Sequence, residues 1–80
     1  MNGYFPNRTV PLPQRSISLT VREAQILALI ADGTSNAAIA QRLYITVDTV
    51  KTYNRRIFRK LNANDRAHAV AQAFRAGVLQ

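Results

Sequence analysis

Eighty residues with no cysteine and a single histidine exclude a disulfide scaffold, a thiolate metal site, a cysteine nucleophile and a multi-histidine cluster. Eleven Lys and Arg against four Asp and Glu leave a formal charge of +7, so a chain this short should be drawn to polyanions, with nucleic acid foremost. One domain with a modest core is all this length allows, and no apolar run approaches a bilayer span.

Residues 1–18 read as an irregular tail. Pro6, Pro11 and Pro13 interrupt helix, and Gly3 and Asn7 add turn character. The segment lacks the continuous apolar stretch of a secretory signal, and a cysteine-free chain is at home in a reducing cytoplasm. Tyr4, Phe5, Val10, Leu12 and Ile17 are apolar enough to cover a core or meet a partner.

A first helix opens at Thr20, whose hydroxyl can cap the free N–H groups while Glu23, three positions on, reaches back in a capping box. Leu19 stands just outside. Ala24, Leu27, Ala28 and Ala31 are expected on the inward face, widened by Ile26, Leu29 and Ile30, and Gly33 closes the helix in the left-handed region. A short second helix starts from Ser35, with Ile39, Ala40 and Leu43 inward. Leu43, Tyr44 and Ile45 form a tight apolar turn before Thr46 caps a third helix, with Asp48 well placed in its first turn. Two helices this closely joined are the pattern of a helix-turn-helix.

The third helix spans Val47 to Lys60. Advancing about 100° per residue, Val50, Ile57 and Leu61 align on one side, bordered by Val47 and Phe58. Lys51, Thr52, Arg55, Arg56 and Arg59 fall on the other, flanked by Thr49 and Lys60. Five of the eleven basic residues lie between Lys51 and Lys60 with no acid among them. Asn54 spoils the pattern by pointing inward, where its amide needs partners. Asn62 can take the left-handed conformation that ends the helix. Asp65 then caps a fourth helix, RAHAVAQAFRA, which stops at Gly77. Ala67, Val70, Ala71 and Phe74 are expected inward, leaving Ala69, Ala73 and Ala76 as a small-residue face for a second copy. The fold class is all-α: a four-helix helix-turn-helix domain over residues 19–80 behind the tail.

The stretches LTxRE at 19–23, GxSNxxIA at 33–40, TVK at 49–51, IFRKL at 57–61, and Arg66 with Ala69-Val70 resemble, in order and spacing, the LuxR/GerE-type helix-turn-helix domain of bacterial transcription regulators. The resemblance covers residues 19–77. It implies a four-helix domain whose third helix enters the major groove, dimerisation through the fourth helix on two-fold-related half-sites, and coupling to an N-terminal sensor. No sensor fits within 80 residues, so the chain reads as a small regulator or as a piece of a larger one. It departs from the family pattern at Ala38, which leaves the Ser35 cap without its second half, and at Tyr53, Asn54, Asn62 and His68.

Lys51, Thr52 and Arg55, early to mid helix and opposite Val50, are the expected base readers. The cations can donate to guanine O6 and N7, and the threonine methyl can meet thymine. Lys51 also matches a position that commonly contacts DNA in the family. Asn36, Thr46, Thr49, Tyr53, Arg56, Arg59 and Lys60 are the expected phosphate contacts. Glu23 and Arg66 are candidates for an ion pair between the first and fourth helices. No constellation supports an enzyme, a metal or a cofactor, since Asp48 and Asp65 are explained by helix starts. The reading is sequence-specific binding of double-stranded DNA by a homodimeric regulator. The alternative is a protein-interaction module that meets a regulator or RNA polymerase through Asn54 or the Ala-rich fourth helix.

Overall fold

The computed structural model describes residues 17–80 as four helices: α1, Val21–Ala31; α2, Asn36–Leu43; α3, Val47–Lys60; and α4, Arg66–Arg75. Each begins at an oxygen-bearing side chain on extended backbone. Thr20, Ser35, Thr46 and Asp65 accept from the N–H groups of Glu23, Ala38, Thr49 and His68, respectively. At Thr20 the box is complete, because Glu23 Oε1 accepts from the Thr20 N–H at 2.9 Å. Such caps contribute about 0.5–2 kcal/mol each. α1 and α3 end in the same paired closure. The N–H of Thr34 donates to Leu29 O beside Gly33 (φ 84°), and that of Ala63 donates to Phe58 O beside Asn62 (φ 54°).

α3 packs against both α1 and α2, and α4 closes over α1 and α3. The interior holds Ile26, Leu27, Ile30, Ile39, Ala40, Val50, Ile57, Leu61, Ala69 and Ala73. Ile17 and Leu19 rest on its margin. Tyr4, Phe5, Val10 and Leu12, considered above as cover for the core, lie outside the described residues.

Two helices are rotated from the expected orientation. In α1, Ala24, Ala28 and Ala31 are exposed, and the inward side is formed by Glu23, Ile26, Leu27 and Ile30. The branched side chains bury more apolar area per residue than alanine, so they win the interior. In α4 the reversal is fuller. Ala69 and Ala73, expected as a dimer face, are completely buried, while Phe74 is half-exposed and Ala67 is exposed. Two methyl groups let the α4 backbone come close to α1 and α3, where a phenyl ring would hold it off. Of the three alanines assigned to a surface, only Ala76 lies on one. Among the described residues no helix is long and apolar enough to cross a membrane.

Candidate nucleic-acid interface

The surface with the strongest chemical character is the outward side of α3. Val50, Asn54 and Ile57 are buried along one edge of this helix, and Leu61 is buried just beyond its end. Their burial turns Lys51, Thr52, Arg55, Arg56 and Arg59 to solvent, where all five are exposed. The basic face is therefore set by what lies behind it.

Part of that face is already ordered. Thr52 Oγ1 donates to the carbonyl of Asp48 at 3.1 Å and accepts from an Arg55 guanidinium nitrogen at 3.2 Å. With its hydroxyl engaged along the helix, Thr52 leaves its methyl group as the part free to meet a partner. Arg55 spends one of five donors on Thr52 and keeps the others for an acceptor. Arg56 lies over the half-buried Tyr53 ring, 5.8 Å from its centroid, which steadies the guanidinium beside the aromatic face. At the start of α3 the hydroxyls of Thr46 and Thr49 are 2.9 Å apart, and Thr46 also caps the helix. A positive helix end with two hydroxyls is a fitting neighbour for a phosphate.

Two residues assigned to phosphate contact are engaged elsewhere. Lys60 Nζ lies 2.7 Å from Glu23 Oε1 and also donates to the Ser18 carbonyl at 2.9 Å. Its charge is paired with α1, so Lys60 serves as a structural cation in this arrangement. Asn36 turns its carbonyl oxygen inward, where it accepts from Asn54 Nδ2 at 3.0 Å and from Arg66 at 3.3 Å. It is thereby a junction of α2, α3 and α4.

The expected Glu23–Arg66 pair is replaced by these two arrangements. Glu23 belongs to Lys60, and Arg66 binds Asn36 and the Thr34 carbonyl at the entry to α2. The Lys60 hydrogen bond, helped by the Thr20 N–H, holds the Glu23 carboxyl below its usual range against the opposing effect of burial. His68 helps close the turn before α4. Its Nδ1 accepts from the Asn64 N–H at 3.1 Å, next to the Asp65 cap.

One residue near this face was missed as a surface group. Tyr44, read as part of an apolar turn, is 95% exposed and has φ 56°. The available signal was its place between the end of α2 and the Thr46 cap, where a chain reversal needs a left-handed residue.

Residues 17–73 match the family described as bacterial regulatory proteins, luxR family. The chain is 48% identical over 58 residues to the transcriptional regulatory protein LiaR of Bacillus subtilis (strain 168), covering 72% of this chain and 28% of that one. It is 48% identical over 62 residues to the response regulator protein VraR of Staphylococcus aureus (strain NCTC 8325), covering 78% and 30%. It is 39% identical over 61 residues to the HTH-type transcriptional regulator AlkS of Pseudomonas putida, covering 76% and 7%. The fold is similar to that of the response regulator ChrA of a heme-sensing two-component system, with a TM-score of 0.72, 32% identity, and coverage of 85% and 33%. It is also similar to VqmA of Vibrio cholera in a ligand–DNA complex, with a TM-score of 0.75, 25% identity, and coverage of 85% and 30%. The chain thus spans about a third or less of the length of each of these relatives.

Proposed function

This chain belongs to the luxR family of bacterial regulatory proteins, and we propose that it binds double-stranded DNA sequence-specifically as the DNA-reading part of a transcription regulator. The observation that carries the proposal is the outward face of α3, where Lys51, Thr52, Arg55, Arg56 and Arg59 are exposed together over a buried edge. In this reading α3 enters the major groove. Lys51 and Arg55 donate to purine edges, and the Thr52 methyl meets thymine; each good bidentate pair discriminates by about 1–3 kcal/mol. Arg56, Arg59, Tyr53, Thr46 and Thr49 hold the sugar–phosphate backbone and set the register. Such a domain acts where bacterial DNA is, in the cytoplasm.

A single module buries roughly 600–1,000 Å² on DNA, which limits its specificity. Two copies on half-sites about 34–36 Å apart overcome that limit. The α4 surface open to such a partner is Ala67 and Phe74, with Val70 and Ala71 at its edge. The alternative of a pure protein-interaction module rests on Asn54 and the Ala-rich fourth helix. Asn54 is 8% exposed and Ala69 and Ala73 are fully buried, which leaves Ala67, Ala76 and, in part, Ala71 as the alanines of that helix open to RNA polymerase or another regulator.

Selection of bound duplexes from a random pool tests the proposal. The expected outcome is an enriched motif whose affinity falls steeply with salt. Recovery of no motif, with salt-independent retention, would count against DNA reading.

A further inference from the structure

The Tyr44 ring is the most exposed of the large apolar side chains described, at 95% against 78% for Val21, 51% for Phe74 and 38% for Val47. It therefore contributes almost nothing to the core. Its backbone, at φ 56° and ψ 44°, lies in the left-handed region, which glycine and asparagine adopt far more readily than an aromatic residue. The turn explains the left-handed backbone but not the choice of an unpacked aromatic residue to adopt it, and such costly positions gather at functional sites.

The place of its backbone is nonetheless well defined. The Tyr44 N–H donates to Ala40 O, and the following Ile45 N–H donates to the same carbonyl at 3.0 Å. Leu43 before it and Ile45 after it are half-buried and packed on the core, so the turn is anchored on both sides. Thr46, the cap of α3, follows two residues later, with its Cα at most about 7.6 Å from that of Tyr44 at 3.8 Å per residue. In helix-turn-helix docking the first residues of the second helix reach the base edges, which sets the preceding turn at the rim of the groove. A phenol this near the first turn of α3 is within reach of the phosphates that flank the groove in such docking.

We infer that Tyr44 is a DNA-backbone contact whose phenol hydroxyl donates to a phosphate oxygen beside the groove that α3 enters. The inference rests on the DNA reading above and adds to it a residue outside the basic helix. A phenol is a neutral donor, so it adds affinity without displacing a counterion and without reading a base.

The test compares the wild-type chain with Tyr44→Phe, Tyr44→Asn and Lys51→Ala, using fluorescence anisotropy on a duplex selected by the wild type and on a random duplex, and thermal melting. Tyr44→Phe keeps the ring and the backbone cost. It should melt with the wild type, bind both duplexes roughly 3- to 10-fold more weakly, and leave the salt slope unchanged. Tyr44→Asn relieves the left-handed position and should melt about 4 °C higher, yet bind at least as weakly as Tyr44→Phe. Lys51→Ala should lose preference for the selected duplex, which Tyr44→Phe should retain. Wild-type affinity in Tyr44→Phe overturns the phenol contact alone and leaves the DNA reading standing. Failure of the wild type to bind any duplex overturns both.

Discussion

Asn54 on α3 donates its amide to Asn36 on α2 at 3.0 Å, while its own carbonyl oxygen is buried with no partner among the described residues. Half of the side chain is satisfied and half is not. A buried acceptor without a donor costs about 1–3 kcal/mol. Asn36 retains its second bond, to Arg66, when the first is removed. Asn54→Leu should therefore raise stability by about 1 kcal/mol, read as a melting temperature some 4–8 °C higher in a domain of this size. A lower melting temperature would mean that the Asn36 bond outweighs the stranded oxygen.

The Glu23–Lys60 pair predicts a specific acid sensitivity. The folded-state carboxyl is held below its usual range, chiefly by Lys60. Its contribution is therefore complete above the unfolded glutamate value of about 4.3 and is lost as pH falls through the lower folded value. Melting temperatures measured from neutral pH downward should fall below about pH 4.3, and the fall should be shallower in Glu23→Gln. Equal pH profiles would show that the carboxylate charge contributes nothing to the fold.

Neighbouring cations at the end of α3 should separate by role. Arg59 is exposed, and Lys60 is tied to Glu23 and Ser18. Arg59→Ala should reduce the salt slope of DNA binding by about 1 with little change in stability. Lys60→Met should leave the slope near that of the wild type and destabilise the fold by about 1–3 kcal/mol, since a buried carboxylate loses its partner. Salt titration of both variants, with melting curves, checks the assignment; exchanged phenotypes would reverse it.

The features legible from sequence were those fixed within a few residues. Thr20 with Glu23, Ser35, Thr46 and Asp65 mark the four starts, and Gly33 and Asn62 mark ends, because caps are local chemistry. The basic face of α3 was equally legible, since Val50 and Ile57 against Lys51 and Arg55 leave one consistent rotation. α4 offered no such contrast. Alanines occur all round it, and only contact with α1 and α3 decides that Ala69 and Ala73 go inside. Glu23–Lys60 and Arg66–Asn36 join residues 37 and 30 positions apart, and nothing local encodes the pairing. Tyr44 was concealed by apolar neighbours that made it look like part of an apolar turn.

The rotation of α4 yields a further expectation. If two copies meet through this helix on DNA, the exposed Phe74 ring is at the contact and the buried alanines are behind it. Phe74→Glu should leave the melting temperature within a few degrees, as exposed substitutions do. It should convert two-per-site binding to one per site in sedimentation with a duplex carrying both half-sites. Unchanged stoichiometry would move the contact off this face.

The most direct measurement is the sequence preference of a Lys51→Ala/Arg55→Ala double variant, as the ratio of affinities for a selected duplex and a random one. Both side chains are exposed on α3, so the variant should fold. Loss of two base contacts at about 1–3 kcal/mol each should bring the ratio close to one while weaker, salt-dependent binding persists through Arg56 and Arg59. A variant that kept the wild-type ratio would show that another surface reads the bases.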